Sequence, residues 1–299
     1  MSRSFVFALA LVTGCSFSSA CDGALDPAPE VQAAAIINGT TSPTLVPLTP
    51  NEQLAIGFLA DASGNPFCTG TVIRRDAVLT AQHCVDGKSA SDLRFGIGSA
   101  FNPRALIRVT KIALADWESD LALLRLGADA TTVDGLVPIA PNRTALDGGL
   151  VGDDLEIAGY APISGTWARR FAVLEVTNVF DALTLDGFGT HGACQGDSGG
   201  PALRADAGKA VVVGTAIGGD ISCRDEVYYS RLDRQLTWLD QQLEAFAAAG
   251  PPPANDPGLD PWGCGETSCG LGLTPSAPFV RGAIVILAWR RRRSESRPK

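Results

Sequence analysis

One serine lies in a run of small and polar residues that suits nucleophilic chemistry. The run is "HGACQGDSGGPAL", His191 to Leu203, in which Ser198 stands between an aspartate and two glycines. Glycine-rich polar segments usually form turns and nothing more. A serine hydroxyl is also a weak nucleophile that needs an adjacent general base. Whether Ser198 can react therefore depends on the base and the orienting acid that the rest of the chain supplies.

The chain has only 2 histidines from which a base can be drawn. His191 is close to Ser198 in sequence. His83, in "VLTAQHC", stands at the end of an apolar run and directly before Cys84. A disulfide at this cysteine would hold the imidazole still, so His83 is the stronger candidate.

An acid must hold that imidazole in the correct tautomer. Asp120, in "ESDLALLRL", comes immediately before a strongly apolar segment, where a carboxylate can be buried facing a histidine. Asp116 and Glu118 are rivals that are more typical of loop surface. Taken singly, an acid before a strand is most often a turn residue.

The elements that would position these side chains are mostly short strands. One helix is predicted in the segment 230–249, where five apolar residues recur at helical spacing, and the prolines after it end the helix. Many short strands between turn residues indicate a sandwich or a barrel. The predicted strands are 53–60, 69–73, 77–81, 93–98, 105–114, 121–126, 155–161, 171–180, 201–205 and 209–218.

Composition limits the classes of function. A chain of 299 residues, 45% of them hydrophobic, can bury a full core. The net charge of -8 argues against a nucleic-acid partner. The 8 cysteines form no close Cys and His quartet typical of zinc, and their spacing suits disulfides, which need an oxidising compartment. No calcium loop or cofactor motif is visible, so neither a metal nor a cofactor is expected.

The N-terminus has the pattern of an export signal. Arg3 precedes an apolar run that is too short to span a membrane, and small residues follow. We predict a signal peptide over residues 1–21, and two modes of processing stay open. "LVTGC" resembles a bacterial lipobox, in which Cys15 would be lipidated, whereas "SSA" before Cys21 suits ordinary cleavage. Residues 22–35, rich in Ala, Pro and acids, are predicted to be a propeptide or linker before a domain at 36–249.

The C-terminal part is predicted to be a Pro-rich linker, 250–263, and a tail, 264–299. The tail has Cys264 and Cys269, a weak apolar segment and the basic run Arg290–Arg293. It is either a disordered tail or a sorting signal whose arginines stay in the cytoplasm. It partly resembles the Cys-containing, Arg-ended anchoring tails of myxobacterial surface proteins. The expected location is secreted or on the outer cell surface, with anchoring through the tail or a lipidated Cys15 left open.

Three segments together resemble a known family. "LTAQHC", "DLALL" and "CQGDSGGP" occur in the order of the signature segments of the chymotrypsin family of serine proteases. "IINGT" at Ile36 resembles the mature N-terminus of that family, and "LTWLDQQL" resembles its closing helix. The resemblance implies an all-β fold of two six-stranded antiparallel barrels, with the active site in the cleft between them and a C-terminal helix.

Roles follow from this resemblance residue by residue. His83 becomes the general base, Asp120 its orienting acid and Ser198 the nucleophile. The amides of Gly196 and Ser198 would form the oxyanion hole, and a glycine lets the backbone face the substrate closely. The family's disulfides that have partners here are Cys68–Cys84 and Cys194–Cys223.

The resemblance also implies activation by cleavage of the Ala35–Ile36 bond. The freed amine of Ile36 would pair with Asp197. A buried ion pair that lacks one partner costs about 3–5 kcal/mol, so the uncut precursor is expected to be latent, with a disordered oxyanion loop. Because Ala35 precedes the cut, a trypsin-like activating protease is not expected.

The substrate pocket differs from that of trypsin-like members, which carry an aspartate six residues before the serine. This chain has Gly192 there, so a charged substrate side chain would be buried without a partner. We predict an uncharged pocket for small or medium apolar residues. His191 aligns outside its rim, as an exposed loop residue or as a contact to an acidic substrate side chain. The pocket residues are Gly192, Ala193, Ile217, Gly218, Gly219 and, at the base, Val227 or, with a shift of one residue, Glu226.

These features together predict a secreted serine endopeptidase that is made as a zymogen. Its expected partners are protein or peptide substrates and an activating protease, and the chain is expected to be a monomer. The alternative is a non-catalytic binding protein on the same fold, but such relatives usually lose a triad residue and this chain keeps all three. An esterase-type hydrolase is disfavoured, because "GDSGG" lacks the G-x-S-x-G elbow and the order here is His, Asp, Ser.

Overall fold

The computed structural model describes residues 36–163 and 165–252. Two α-helices, α1 (Pro50–Gln53) and α2 (Leu236–Ala248), accompany fifteen strands in this range. The strands are β1 (Ile56–Asp61), β2 (Pro66–Arg74), β3 (Ala77–Ala81), β4 (Leu93–Gly98), β5 (Pro103–Leu114), β6 (Leu121–Leu126), β7 (Ala140–Pro141), β8 (Asp154–Gly159), β9 (Pro162–Ile163), β10 (Thr166–Trp167), β11 (Arg170–Val179), β12 (Ala182–Asp186), β13 (Pro201–Asp206), β14 (Lys209–Gly219) and β15 (Glu226–Arg231).

The first six strands close into an antiparallel barrel in the order β1-β2-β3-β6-β5-β4. Its strands are rich in β-branched and other apolar residues, and β1, β3 and β6 are buried almost throughout. The core includes Phe58, Leu79, Phe95 and Leu123, each with no solvent exposure. β3 pairs with β6 in register, with Ala81 opposite Leu121. His83, two residues after the end of β3, and Asp120, the residue before β6, are therefore at the same end of this strand pair.

The second barrel consists of β13, β8, β11, β12, β15 and β14 in that order, and it is closed by pairing of β13 with β14. β7 adds to β14 in parallel, and β9 forms a short hairpin with β10. This barrel has an apolar core of its own, in which Ile157, Leu174, Val213 and Tyr229 are buried. The predicted fold class, two six-stranded antiparallel barrels with a C-terminal helix, is confirmed.

The predicted helix begins later in the structure than the apolar spacing indicates. Ser230 and Arg231 complete β15, and a 3-10 turn, Leu232–Arg234, leads into α2 at Leu236. Tertiary contacts explain the difference, because Arg231 donates to the carbonyl oxygens of Phe180 and Leu146 and thereby holds the end of β15 extended. Leu239 and Phe246 bury the inner face of α2 as predicted.

Several predictions lie outside the described residues. These are the signal peptide with Cys15, the propeptide 22–35, most of the linker 250–263 and the tail 264–299 with its two cysteines. Within the described part of the chain, no helix combines the length and the hydropathy needed to cross a membrane.

Candidate active site

His83 and Asp120 meet at the end of the first barrel. His83 lies in the 3-10 turn Gln82–Cys84 after β3, and Asp120 has a left-handed φ of 44° just before β6. Asp120 Oδ2 is 2.7 Å from His83 Nδ1, and Asp120 Oδ1 accepts the backbone N–H of His83 at 2.7 Å. Because an ionised carboxylate can only accept, Nδ1 carries the proton in this pair and the lone pair is left on Nε2. The imidazole is 40% exposed and the carboxylate 24% exposed, so the pair is open to the cleft.

The rival groups make other contacts. Asp116 Oδ1 accepts the backbone N–H of Ser119 at 2.8 Å and caps the turn that leads to Asp120. The side-chain hydrogen bond from Ser119 is the main cause that lowers the pKa of the Asp116 carboxyl. Glu118 is exposed. His191 Nδ1 is 2.8 Å from the hydroxyl of Thr190, so its contact is local to its own loop.

The loop of Ser198 lies at the junction of the two barrels. The backbone oxygen of Ser198 accepts the N–H of Thr69 in β2 at 2.8 Å, and Cys84 Sγ lies 3.7 Å from the same oxygen. An added Cβ on the next residue, Gly199, would lie 2.2 Å from both Thr69 O and the Thr80 hydroxyl. Only glycine allows this close approach, which brings Ser198 beside the turn that carries His83.

Gly196 is also held from the first barrel. Its φ of 102° lies where side chains are strongly disfavoured, and its carbonyl oxygen accepts the Thr69 hydroxyl at 2.8 Å. A Cβ here would come within 3.0 Å of the Trp167 ring and of Ala161 Cα. The backbone at Gly196 is therefore held by the Thr69 hydroxyl and packed closely against Trp167 and Ala161.

Asp197 lies in the same loop, between Gly196 and Ser198, and its carboxylate is buried. It is 1% exposed, and its oxygens accept the backbone N–H groups of Ala161 at 2.8 Å and Cys194 at 2.9 Å. Burial raises the pKa of this carboxyl to about 7, although the two amides act in the opposite direction. Its charge contributes, after burial, to raising the pKa of the Tyr229 phenol well above the usual value. Burial therefore favours either the protonated, neutral form of the Asp197 carboxyl or a cation placed beside the ionised form.

Ile36 is buried in the second barrel. Its side chain is 2% exposed and belongs to the same apolar cluster as Tyr229 and Ala193. The next residue, Ile37, donates its N–H to the carbonyl oxygen of Gly192 at 2.9 Å. The first described residue is thus packed into the second barrel.

Both predicted disulfides are formed. Cys68–Cys84 joins β2 to the turn of His83, with the two Cα atoms 6.3 Å apart. Cys194–Cys223 joins the loop of Ser198 to the loop before β15, with the two Cα atoms 5.1 Å apart. Among the described residues, Cys68, Cys84 and His83 form a compact group of metal-ligand atoms, but sulfurs in a disulfide are not thiolate ligands.

A cavity of about 320 Å³ opens beside Ser198. Val227 is 1% exposed and lines this cavity, whereas Glu226 is exposed, accepts the Tyr228 hydroxyl and is not among the lining residues. The lining residues are Ala193, Cys194, Gln195, Ser198, Ala216, Gly218, Gly219, Asp220, Ile221, Cys223 and Val227.

Two of the predicted pocket residues do not line this cavity. A Cβ on Gly192 would lie 2.5 Å from the carbonyl oxygen of Cys223, so the backbone of Cys223 covers this position. Ile217 lines a neighbouring cavity of about 240 Å³ together with Ser119, Ser230 and Gln235. The segment that contains Ile217 therefore separates two cavities, one beside Ser198 and one beside Ser119.

Asp220 and Gln195 line the cavity but were not named from the sequence. The carboxylate of Asp220 accepts backbone N–H groups of its own loop, from Ser222 at 2.6 Å and Asp225 at 2.9 Å. Burial is the largest single influence on the pKa of Asp220 and raises it, but the hydrogen bonds of the loop together outweigh burial and lower the pKa. An aspartate at the start of a turn-rich loop is the sequence signal that could have found it.

The two barrels, with the His–Asp pair and the serine loop at their junction, define a protein of the chymotrypsin-like fold. The model of the family described as Trypsin matches residues 46–239, which is more than half of the chain. The chain therefore belongs to the trypsin family. This membership supports a serine endopeptidase activity in general, with proteins or peptides as substrates.

Proposed function

We propose that the chain is an endopeptidase in which Ser198 is the nucleophile, His83 the general base and Asp120 the acid that orients it. The observation that carries this proposal is the 2.7 Å contact between His83 Nδ1 and Asp120 Oδ2, at the turn that adjoins the Ser198 loop. It leaves the lone pair on Nε2, which is the atom that a general base needs.

The chemistry then has two halves. Ser198 Oγ attacks the peptide carbonyl while His83 takes the hydroxyl proton, and Asp120 stabilises the resulting imidazolium. The amides of Gly196 and Ser198 donate to the oxyanion of the tetrahedral intermediate, where one such donor contributes about 3 kcal/mol. His83 returns the proton to the leaving amine, and water then attacks the acyl-enzyme by the same route.

Activation is proposed to follow cleavage between Ala35 and Ile36. The new amine of Ile36 would be the cation that the buried carboxylate of Asp197 lacks among its amide donors. Support comes from the burial of Ile36 in the apolar cluster that also contains Tyr229. An ion pair there favours the charged form of Asp197 and stabilises the loop that carries Gly196 and Ser198.

The proposed pocket accepts a small or medium apolar side chain on the acyl side of the scissile bond. Ala193, Ala216 and Val227 present methyl groups to the cavity. The one carboxylate on its lining, Asp220, is engaged by loop amides. A buried lysine or arginine of a substrate would therefore find no free carboxylate among the residues that line this cavity.

Export is proposed for the location, secreted or on the cell surface. Two disulfides within the described domain support it, because such bonds persist in oxidising compartments. The processing at Cys15 and the fate of the tail remain the two alternatives given above.

A fluorophosphonate probe tests the proposal. The chain is released at Ile36 by a site-specific protease whose recognition sequence replaces residues 31–35, and the adduct is located by mass spectrometry. We expect one adduct, on Ser198, with no labelling in Ser198→Ala and strongly slowed labelling in His83→Ala. Failure to label Ser198 in oxidised, folded protein would refute the enzyme and favour a binding protein on the same fold.

A further inference from the structure

Glu156 is a buried carboxylate that the proposed chemistry does not use. It lies in β8, between Val173 of β11 and Leu203 of β13, and it has no solvent exposure. A charge so deeply buried requires strong compensating contacts. Its presence in the middle of a barrel strand therefore calls for a specific partner.

That partner is the backbone of the segment that follows Ile36. The Glu156 carboxylate accepts the N–H groups of three consecutive residues, Thr44 at 2.9 Å, Leu45 at 2.6 Å and Val46 at 3.0 Å. A second contact joins Thr44 N to Oε1 at 3.1 Å. Hydrogen bonds to an ionised acceptor are about twice as strong as neutral ones. Glu156 thus ties a non-strand segment firmly to the second barrel.

The same segment has three attachment points closer to Ile36, and at the middle one the Asn38 side-chain amide donates to Thr190 O at 2.7 Å. Ile37 donates to Gly192 O at 2.9 Å, and Thr40 and Phe171 exchange backbone hydrogen bonds at 2.7 and 2.9 Å. The contacts to Glu156 follow at residues 44–46. The chain that leads away from the amino terminus is therefore fixed at four successive places. Two of them depend on a side chain, that of Asn38 at the exposed surface and that of Glu156 in the buried interior.

The other end of β8 reaches the oxyanion loop. A Cβ on Gly159 would lie 2.1 Å from Asp197 Oδ1, and Ala161 donates to that oxygen at 2.8 Å. β8 and the residues just after it therefore carry both the anchor of the N-terminal segment and the partners of Asp197. A strand spans about 3.3 Å per residue, which sets a fixed separation between these two points.

We infer that Glu156 is a positioning residue for the active site: it holds the chain behind Ile36 so that the freed amine inserts beside Asp197. The inference rests on the activation proposed above. Fixing Thr44, eight residues behind the amine, restricts the volume that the amine explores and raises its effective concentration at Asp197. Without the anchor, the inserted state loses population to a detached one.

The test uses Glu156→Gln in the chain cleaved at Ile36. Glutamine keeps the size but removes the charge, and its NH₂ group replaces one of the two accepting oxygens, so at least the contact at the Oε1 position is lost and the others become neutral hydrogen bonds. Glu244→Gln, at an exposed position on α2, is the matched control. The first readout is the rate at which a water-soluble acylating reagent modifies the Ile36 amine near pH 8, followed by mass spectrometry. We expect about a tenfold faster reaction in Glu156→Gln and no change in the control.

The second readout is the pH profile of kcat/KM. Insertion needs a protonated amine, whose unperturbed pKa is about 8, so activity falls as pH rises. A tenfold weaker insertion moves this alkaline limb to lower pH by about one unit, while kcat/KM near pH 6.5 changes little. A purely structural defect would instead lower activity equally at all pH values.

The outcomes test the positioning role of Glu156 separately from the proposed endopeptidase function. Wild-type acylation rates together with an unmoved alkaline limb in folded Glu156→Gln would overturn the positioning role. If wild type does not label Ser198 with a fluorophosphonate, the proposed function fails, yet faster acylation in Glu156→Gln would still support the anchor. Should Glu156→Gln not fold, Glu156→Asp keeps the charge but retracts it by one methylene, and the same two measurements apply to it.

Discussion

The raised pKa of Asp197 makes a quantitative prediction about the uncut chain. The pKa lies at about 7, against an ordinary value of 3.8, because the carboxyl is buried. Between these values the folded chain binds a proton that the unfolded chain does not bind. The free energy of unfolding therefore falls as pH rises through this window. At 1.36 kcal/mol per unit, the loss between pH 4 and pH 7 is on the order of 4 kcal/mol.

Urea unfolding of the oxidised protein at several pH values measures this loss. Ser198→Ala is used throughout to prevent self-digestion, and Asp197→Asn in the same background removes the titrating group. We expect the difference in unfolding free energy between the two uncut chains to change by about 4 kcal/mol between pH 4 and pH 7, to the disadvantage of the aspartate.

Cleavage at Ile36 should remove most of this dependence, since the new ammonium favours the charged carboxylate. Urea unfolding of the cleaved Ser198→Ala chain over the same pH range, beside the uncut Ser198→Ala chain, measures the difference. If the uncut chains with and without Asp197→Asn show the same pH dependence, the Asp197 carboxyl is not buried in the uncut chain. That result refutes the raised pKa there and agrees instead with the disordered oxyanion loop expected for the precursor.

Three further perturbations follow from the packing. Val227→Gly removes the side chain at the cavity wall and is expected to raise kcat/KM for leucine and phenylalanine substrates relative to alanine by roughly 10–100-fold, measured with a matched peptide series. Gly159→Ala puts a methyl group 2.1 Å from Asp197 Oδ1, so we expect a loss of about 1–3 kcal/mol in urea unfolding and a large fall in Ser198 labelling; unchanged labelling would show that the loop tolerates the shift. Replacing Cys68 and Cys84 by alanine opens a link across 16 residues and should cost about 3 kcal/mol of unfolding free energy, with Ser198→Ala as the common background.

Local sequence patterns predicted the first barrel well. The apolar runs at 77–81 and 121–126 coincide with β3 and β6, because both faces of these strands are buried and neither is interrupted. β12 and β15 were not predicted. Their sequences, "ALTLD" and "EVYYSR", are short and partly polar, and they become strands because they pair with each other as the second barrel closes. That pairing joins segments distant in sequence, which a local pattern does not contain.

The site divides in the same way. The residue types and their order were readable in the sequence, but which of three nearby acids contacts His83 depends on the register between β3 and β6. Glu156 escaped notice for a related reason. In "LEIAG" it alternates with buried Leu155 and Ile157, a pattern typical of a solvent-facing residue. The irregular segment at residues 44–46 covers that outer face. The alternation therefore indicates a solvent-facing residue, whereas Glu156 is buried.

Thr69 shows why the two barrels act as one unit at the site. It is fully buried in β2 of the first barrel. Its N–H donates to Ser198 O at 2.8 Å, its hydroxyl donates to Gly196 O at 2.8 Å, and the same hydroxyl accepts the N–H of Tyr160 at 2.9 Å. One residue of the first barrel thus fixes the loop of the second at two carbonyl groups that flank Asp197, one through its backbone N–H and one through its hydroxyl. Since His83 and Asp120 also belong to the first barrel, a rotation of one barrel against the other would break these bonds and at the same time move Ser198 away from His83, its proposed base. The position of Ser198 relative to His83 is therefore set by buried hydrogen bonds between the barrels and by Cys68–Cys84, and less by the exposed pair of His83 and Asp120 itself.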